Sequence, residues 1–440
     1  MFVPVDWDIG AIREYGLNET TGCQNGWVYY NTLYESTIVT DFDLVCDRAN
    51  FVGLAQMVLM GGILLGSFVF GPVTESFGRK RATQITTLII LIFQLTTALS
   101  PNVYFFFASH FMLGFGSGGY RVSSVILTTE WIGPSRRSWG AIMSQLINAV
   151  GQCIAAGVIY LIRQWRVIQF ITVAPPAVTL TYLWFIPESA RWLLSRGWTE
   201  EASQLIIKVA AINKRPVPDT LLENMVVKED VKKKGGIKVI FRSPALTKYF
   251  GILTLGWFAL NLAFLCLYFN MRNLGFNIFI TQLLFGATEI LANLLCVWLL
   301  EVFGRKLLLV ATLMMGGLAC LLILAVPQEN GTAVTSLAVA ARFFLVGGVC
   351  VCNVYVQELF PTSARQTATA LGAMIGRSGA VVAPLLNMLA VYHRAIPIAV
   401  YGSLAAVSGA LCFLLPETRR KELPESAEEV ENNRNETSEE

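Results

Sequence analysis

The sequence predicts an all-α membrane protein built from two parallel copies of one helical bundle. Hydrophobic residues make up 54% of its 440 residues and charged residues only 14%, whereas soluble proteins carry about 25% charged residues. Apolar windows long enough to cross a hydrocarbon core of about 30 Å recur along the chain. Because the backbone in lipid must satisfy its own hydrogen bonds, these windows predict helices. Three short motifs each occur twice, separated by nearly the same number of residues, which indicates the two copies.

The segment before the first apolar window has an extracellular character. It contains the sequon Asn18-Glu19-Thr20, so we expect a glycan on Asn18. Cys23 and Cys46 flank a polar stretch there, whereas the other seven cysteines lie in apolar segments as small hydrophobic residues. In an oxidising compartment these two can form a disulfide with each other, or with cysteines outside this sequence.

Eleven membrane helices are predicted, five in the first half of the chain and six in the second. The five cover about residues 50–73, 82–99, 103–131, 139–162 and 167–186. The six cover about residues 249–271, 277–302, 306–326, 335–359, 366–391 and 395–415. The predicted organisation is an extracellular segment at 1–49, a first helical half at 50–186, a cytoplasmic loop at 187–246, a second half at 247–415 and a cytoplasmic tail at 416–440.

The distribution of lysine and arginine among the loops predicts the orientation of the chain. Loops rich in these residues stay in the cytoplasm, and the alternation of helices independently places five basic clusters on one side. The clusters are residues 79–81, 136–137, 232–234, 305–306 and 419–421. We therefore predict an outer N-terminus and an inner C-terminus, with Arg163 and Arg166 as exceptions on the outer side.

The repeat consists of three motif pairs. ESFGRK at residues 75–80 returns 226 positions later as EVFGRK. Glu130 and Arg137 return 228 positions later as Glu358 and Arg365, and Pro-Glu at 187–188 returns 229 positions later. Two parallel repeats of membrane helices are the arrangement of major facilitator carriers.

The repeated residues at the predicted cytoplasmic helix ends are candidates for gating. A glycine permits a tight turn, the basic pair after it anchors the turn at the interface, and the carboxylates can form ion pairs that close the inner face and break as the halves rock apart. The alternative is that these residues only fix the topology. The candidates are Glu75, Gly78, Arg79, Lys80, Glu130, Arg137, Glu301, Gly304, Arg305, Lys306, Glu358 and Arg365.

Several motifs resemble those of the organic ion transporters of solute carrier family 22. They are STIVTDFDLVC at 36–46, GP at 71–72 followed by FGRK at 77–80, PESARWLL at 187–194 and ELFPT at 358–362. The resemblance covers nearly the whole chain, and TEWIGPS at 129–135 is most similar to the nicotinate and urate exchanger branch. It implies a secondary carrier of the major facilitator fold in the plasma membrane.

The resemblance also implies twelve helices, of which eleven are predicted here. The family's first helix and most of the loop after it have no counterpart in this sequence. We therefore expect that the sequence is incomplete or that its product does not transport.

Charged residues within the predicted membrane helices are candidates for substrate binding, because each costs at least about 2.5 kcal/mol in lipid. Arg377 lies near the middle of its helix, where the resemblance implies arginine in organic-anion and carnitine-type carriers and an acidic residue in organic-cation carriers. Its planar guanidinium suits a carboxylate. Arg121 lies at a similar depth, so with Glu289 the cavity is net positive. The alternatives are that Arg377 caps helix carbonyls or pairs permanently with Glu289, and that Arg121 pairs with Glu289 or extends toward the inner interface.

Asn293 and three aromatic residues complete the candidate site. The resemblance implies a basic residue where Asn293 stands, and the loss of that positive charge favours monovalent anions. It also implies paired tyrosines where Phe264 and Leu265 stand. Phe264, Tyr268 and Trp257 can stack on a flat guest, although aromatic residues at helical spacing more often pack a core.

Other chemistry finds no support in the sequence. The glycine-rich run at 114–119 lies inside an apolar helix and predicts a packing surface, and no phosphate-binding loop is present. Two histidines without a Cys/His cluster argue against a metal. His110 and Arg342 lie at matching places near the outer helix ends, and packing is favoured for His110 over pH sensing.

We therefore predict a carrier or exchanger of small organic anions, of the monocarboxylate or urate type, and not an enzyme. Its expected partners are the anion, the lipid bilayer and a counter-anion, with neither a cofactor nor a nucleic acid. The alternatives are a carrier of zwitterions or cations, in which Glu289 dominates, and a truncated product that does not transport.

Overall fold

The structure, a computed structural model, describes residues 27–29, 34–132, 137–215, 237–270, 277–327, 330–393 and 395–418. The side chains of residues 137–139, 141–142, 237–239, 297, 362–363 and 365–366 are also outside the described part. Within these limits the chain is helical, and the extended backbone is restricted to an isolated bridge between Ser36 and Gln164.

The first half begins with the short helix α1 and continues through the membrane helices to the cytoplasmic connection. Its helices are α1 (Ile38–Asp41), α2 (Asn50–Phe77), α3 (Arg79–Ala98), α4 (Val103–Trp131), α5 (Arg137–Ile162), α6 (Trp165–Ile171) and α7 (Ala174–Phe185). The connection holds α8 (Ala190–Ser195), α9 (Thr199–Ile212) and α10 (Ile237–Arg242). The second half holds α11 (Pro244–Phe269), α12 (Ile278–Phe303), α13 (Arg305–Ala325), α14 (Gly331–Leu359), α15 (Thr362–Met388) and α16 (Ala395–Cys412). Single 3₁₀ turns occupy Cys46–Arg48 and Leu389–Val391.

The eleven predicted membrane spans correspond to α2–α5, to α6 with α7, and to α11–α16, so the helical membrane architecture is confirmed. Nine spans in the described part are long and apolar enough to cross a bilayer by composition alone. The span predicted as one helix at 167–186 is interrupted between Ile171 and Ala174. Pro175 and Pro176 follow the interruption because proline, which lacks an N–H, is tolerated in the first turn of a helix.

Side-chain caps define where several membrane helices begin. The Asn102 side chain accepts a hydrogen bond from the Phe105 N–H at 2.8 Å and starts α4. Asn277 caps α12 in the same manner, with 3.0 Å to the Phe279 N–H. Ser243 caps α11 and is followed by a proline in the first turn. Such caps satisfy backbone donors that have no partner within the helix.

The glycine-rich run in α4 is a packing surface, as predicted. A Cβ added at Gly114 or Gly118 would overlap the backbone of α2 at Leu59 or Ile63. Conversely, a Cβ at Gly66 would overlap the carbonyl of Phe115. The two helices therefore pack backbone to backbone, as small residues permit in membrane bundles.

The two halves meet along two pairs of helices, α5 with α12 and α2 with α15. In the first pair, a Cβ on Gly286 would meet Cys153 and Ala149. In the second pair, a Cβ on Gly53 would lie 3.0 Å from the Met388 side chain at the outer ends. Each of the two contacts includes a glycine, so the helices approach closely there.

The halves are unequal around α11. This helix packs against α14, α15 and α16, and 61% of its most apolar window is buried. In the first half, 11% of the corresponding window is buried in Met143–Ile162 and 6% in Trp165–Phe185. Among the described residues the first half has no counterpart of α11.

The segment before α2, which was predicted to be extracellular, contacts the first half near the start of α6. Asp41 accepts hydrogen bonds from Trp165 Nε1 at 2.9 Å and from Arg166 Nε at 3.1 Å. The Glu35 N–H donates to the Arg163 carbonyl at 3.1 Å. Of the two arginines that violate the charge rule, Arg166 therefore has a carboxylate partner, and the Arg163 Nε donates to the Tyr160 carbonyl at 3.1 Å.

Candidate functional site

The turn between α2 and α3, which was predicted to be cytoplasmic, contains an ion pair inside the first half. Gly78 has φ +103°, a backbone conformation that glycine adopts readily and residues with a side chain rarely do. Arg79 follows it and pairs with Glu130 of α4 at 3.1 Å. Its Nη1 also donates to the Thr74 carbonyl at 2.9 Å. The arginine therefore joins the ends of α2, α3 and α4.

The second half repeats this arrangement. Gly304 has φ +84°, and Arg305 pairs with Glu358 of α14 at 2.8 Å. The Arg305 Nη1 donates to the Leu300 carbonyl at 3.3 Å. The Thr418 hydroxyl donates to Glu358 at 2.8 Å.

Both ion pairs join helices of one half in this structure. The idea that they open as the halves rock apart stays a prediction. Glu75 and Glu301 have exposed side chains. The carbonyl of Glu75 accepts from Trp192 Nε1 and from Arg196, each at 2.7 Å.

Not all of the predicted gating and extracellular residues are described. The side chains of Arg137 and Arg365, and the residues Asn18 and Cys23, lie outside the described part of the chain. Cys46 is exposed at the start of a 3₁₀ turn.

Two glutamates for which the sequence predicted no role complete the cytoplasmic turns. Glu188 accepts the backbone N–H groups of Arg79 and Lys80 at 3.0 and 2.9 Å. Glu417 accepts those of Arg305 and Lys306 at 2.9 and 3.1 Å. The repeated Pro-Glu motif could have indicated these residues. However, the motif lies far from the Gly-Arg-Lys turn along the chain, so the sequence does not show that the two are in contact.

Three arginines and one glutamate lie near the middle of four membrane helices. Arg121 of α4 interacts electrostatically with Glu289 of α12 and with Arg377 of α15. Its side chain is exposed, and both of the charges with which it interacts belong to the second half. Glu289 in turn contacts Arg342 of α14. With three cations and one anion, this part of the site is net positive.

Arg377 lies half-buried on α15 where that helix packs closely against α11. A Cβ on the neighbouring Gly376 would lie 3.2 Å from the Trp257 side chain, and one on Gly372 would lie 2.9 Å from it. Trp257 is 4% exposed, so its ring serves helix packing beside Arg377. A Cβ on Gly379 would lie 2.6 Å from the Phe258 carbonyl.

Glu289 and Arg342 form the most buried ion pair that the structure describes. Arg342 Nη2 lies 3.2 Å from Glu289 Oε2, so the glutamate's direct partner is neither Arg377 nor Arg121. Three rings surround this guanidinium, with centroids at 4.0 Å for Phe264, 4.6 Å for Phe285 and 5.6 Å for Tyr268. This pair was not predicted from the sequence, because Arg342 was placed nearer the outer helix end.

The remaining candidates lie close to this pair. Asn293 is buried one turn after Glu289 and donates to its carbonyl at 2.9 Å. The Tyr268 hydroxyl accepts from Gln282 at 3.2 Å. Phe264 and Tyr268, predicted to stack on a substrate, face the Arg342 guanidinium in this conformation.

His110 lies apart from the charge cluster, in an outer recess. Its ring stacks on Phe106 at 4.9 Å with an angle of 20°. Its Nδ1 is buried and has no hydrogen-bond partner among the described residues. Gln56 and Gln169 also line this recess.

Comparisons with known proteins agree with this architecture. The profile of the sugar (and other) transporter family matches residues 7–430. Human solute carrier family 22 member 13 is 36% identical over 428 residues, covering 97% of this chain and 77% of that protein. Organic anion transporter 3 of Oryctolagus cuniculus is 33% identical over 426 residues, covering 94% and 78%. The inward-open xylose transporter XylE from E. coli shares the fold, with a TM-score of 0.68 at 18% identity over 90% of this chain and 93% of that chain.

Proposed function

Because the chain belongs to the sugar (and other) transporter family and, within it, to solute carrier family 22, we propose that it carries small organic anions by alternating access. The family identifies a multi-pass transporter of the plasma membrane and not an enzyme. The choice of anions, and of monocarboxylates or urate-like monoanions among them, is the proposal.

The observation that carries the proposal is the surplus of positive charge between the two halves. Arg121 comes from the first half and Arg377 from the second, and both are cations, which repel each other. A carboxylate or urate-type anion between them relieves this repulsion and lets the halves approach. A guanidinium on each side provides the planar donor pairs that bind such groups.

The charge partners also argue against a cation carrier. A cation would need a free carboxylate, but Glu289 is bound to Arg342 and lies within the field of Arg121. Asn293 is neutral at the place where the family resemblance implies a base, which supports monoanions over dianions. The two lines of contact between the halves, α5 with α12 and α2 with α15, are consistent with rocking halves.

Uptake of labelled nicotinate, urate and carnitine by cells that express the protein tests the proposal. Nicotinate or urate uptake should exceed that of cells with an empty vector. Arg377→Ala should lower Vmax/KM about 10- to 150-fold, the loss expected for a hydrogen bond to a charged group, at unchanged surface abundance. Arg377→Lys should recover part of it, since it restores charge without the fork.

The matched control is Ser378→Ala, the neighbouring position on α15, whose hydroxyl bonds only the Ile375 carbonyl at 2.6 Å among the described partners. Its uptake should equal that of the unaltered protein. Carnitine uptake alone, or full anion uptake by Arg377→Ala, would overturn the proposal.

A further inference from the structure

The recess that His110 lines, on the predicted outer side, is bounded by both halves of the protein. It has a volume of about 220 Å³. Helices α1, α2, α4 and α6 of the first half form most of its wall, and the last residue of α11 comes from the second half. The side chains that can meet a solute by stacking or by hydrogen bonding are Gln56, Phe106, His110, Trp165, Gln169 and Phe269.

The aromatic rings of this outer recess are held in place by their neighbours. The imidazole of His110 stacks on Phe106 at 4.9 Å with an angle of 20°. The ring of Trp165 meets Phe106 edge to face at 5.8 Å, and its Nε1 donates to Asp41 at 2.9 Å. A flat solute therefore finds preformed aromatic surfaces, so few side chains have to be ordered when it binds.

The polar side chains of the recess have hydrogen-bonding capacity to spare. The amide of Gln56 has no hydrogen-bond partner among the described residues. Gln169 accepts from Gln94 at its Oε1, which leaves its NH₂ group to donate. The Nδ1 of His110 is buried without a partner in the described part of the chain, so a solute meets this ring at Nε2. One complete amide, one NH₂ group and one imidazole nitrogen can thus bind a polar edge.

Charge, in contrast, has no free partner at the recess. None of the described residues that line it is acidic or basic except His110. The ion pair next to Trp165 is already satisfied, because Arg166 bonds Asp41 at 3.1 Å and the Ala98 carbonyl at 3.0 Å. A charged solute would lose its hydration in the recess without gaining a counter-ion. A neutral solute avoids that cost.

We propose that the outer recess binds a neutral planar aromatic solute with a polar edge, such as a heteroaromatic amide, at a site separate from that of the transported anion. The ring lies against Phe106 and Trp165, and the polar edge meets Gln56 and Gln169. Because Phe269 belongs to the second half, a bound solute contacts both halves. It therefore holds their predicted outer ends together and slows the carrier without occupying the anion's site.

Protection of a cysteine from a membrane-impermeant thiol reagent measures binding, with nicotinamide as the neutral probe. Val52→Cys places a thiol in the recess, in a protein whose Cys23 and Cys46 are serine, and Ile38→Cys on α1 is the second reporter. Nicotinamide at about 10 mM should slow labelling roughly threefold or more, as millimolar binding of so small a ligand predicts. At Tyr392→Cys, on a residue that is 83% exposed, the rate should not change.

Two related probes test the chemistry of recognition. Nicotinate has the same ring as nicotinamide but carries a negative charge, and cyclohexanecarboxamide has the amide without an aromatic ring. Neither should protect the thiol at the same concentration. Absence of protection by nicotinamide, equal protection by either related probe, or equal slowing at Tyr392→Cys would overturn the proposal.

Substitution of the polar lining separates recognition from bulk. Gln56→Leu keeps the size of the side chain but removes the amide, so the nicotinamide concentration for half-protection should rise roughly 2- to 10-fold, as expected for one hydrogen bond. Gln152→Leu makes the same change on α5, outside the recess, and should keep the original value. His110→Phe keeps a ring beside Phe106 but loses Nε2, and it serves if Gln56→Leu fails to reach the surface. An unchanged half-protecting concentration in either variant would overturn the proposal.

Uptake kinetics test the effect on transport, which alone rests on the proposed function. Nicotinamide should lower Vmax for nicotinate or urate, whichever the protein carries, and leave KM unchanged, because it binds apart from the anion. A raised KM at constant Vmax would place nicotinamide in the anion's site and would overturn the proposal. If the unaltered protein takes up no anion, the proposed function fails, while the labelling still decides whether the recess binds nicotinamide.

Discussion

The carboxylate of Glu188 caps α3 in the first half as the carboxylate of Glu417 caps α13 in the second. Each accepts two backbone N–H groups at the start of a helix, at 2.9–3.0 Å in the first half and 2.9–3.1 Å in the second. These donors have no partner within the helix, and a helix N-terminus favours negative charge. The two glutamates therefore fasten the end of each half to its central turn.

Removing this cap should destabilise both halves to a similar degree. Glu188→Gln keeps the size of the side chain but loses its charge and one acceptor, so we expect a loss of about 1–2 kcal/mol. Glu417→Gln should give a similar loss. Thermal unfolding of the detergent-purified protein measures it. Lys208→Gln, which also removes a charge but at an exposed position outside the first turn of α9, should leave the midpoint unchanged, and equal midpoints for all three variants would contradict the capping role.

The glycine that precedes each capped helix should not tolerate a side chain. Gly78 has φ +103°, and a Cβ there would lie 2.5 Å from Glu188 Oε2. Gly78→Ala should therefore cost about 1–3 kcal/mol from backbone strain alone. Gly61→Ala is the matched control on α2, because a Cβ at Gly61 meets nothing within 4 Å. It should leave the unfolding midpoint unchanged or raise it, and a comparable loss in both variants would contradict the assignment.

The sequence predicted the helices well because length, hydropathy and repetition are local properties. Helix boundaries were less accurate where helices continue beyond the hydrocarbon. The predicted span 50–73 is α2, which ends at Phe77, and the span predicted to begin at 82 is α3, which begins at Arg79. Charged residues occupy the last turn of α2 and the first turn of α3, so a prediction from hydropathy makes both helices too short. The interruption before Ala174 was missed because Pro175 and Pro176 are tolerated inside an apolar window.

The candidate site was predictable in part. A charged residue in an apolar helix can be recognised from the sequence, but the residue that it contacts cannot. Arg121, Arg377 and Glu289 were identified as costly membrane charges, and the structure places each of them near the middle of its helix. The contact of Glu289 with Arg342 was not predicted, although both residues lie 11 positions from the outer ends of their helices. Which faces of α12 and α14 meet depends on helix rotation, and a single sequence does not specify it.

The close packing of α2 on α4 should be intolerant of bulk. A Cβ at Gly118 would overlap the Ile63 carbonyl, so Gly118→Leu forces the two helices apart. Overpacking of this kind costs about 1–3 kcal/mol or more, and we expect loss of the folded protein from the cell surface. Surface biotinylation measures the effect. Gly151→Leu on α5, where a Cβ meets nothing within 4 Å, should retain normal abundance; similar losses in both would contradict backbone-to-backbone packing.

The outer faces of the two halves are joined by an aromatic cluster that should control outward opening. Phe279 at the outer end of α12 lies 5.7 Å from the ring of Tyr34 in the extracellular segment and 5.3 Å from that of Tyr160 on α5. Both pairs are edge-to-face, a geometry that contributes about 0.5–1.5 kcal/mol per pair. Since both ring pairs must separate when the outside opens, Phe279→Ala should favour the outward-open state by about 1–3 kcal/mol.

Labelling of a cysteine in the outer recess measures that shift. With Cys23 and Cys46 replaced by serine, Gln56→Cys places a thiol in the recess that His110 also lines. A membrane-impermeant thiol reagent should modify it roughly 5- to 150-fold faster when Phe279→Ala is added, since each 1.4 kcal/mol changes an equilibrium tenfold. Tyr392→Ala removes a ring whose residue is 83% exposed, and it should leave the labelling rate unchanged. Removing an interaction that exists only in the closed state must raise the population of the open state. Equal labelling rates with Phe279→Ala and with Tyr392→Ala would therefore mean that the rings around Phe279 pack the surface without holding the halves together.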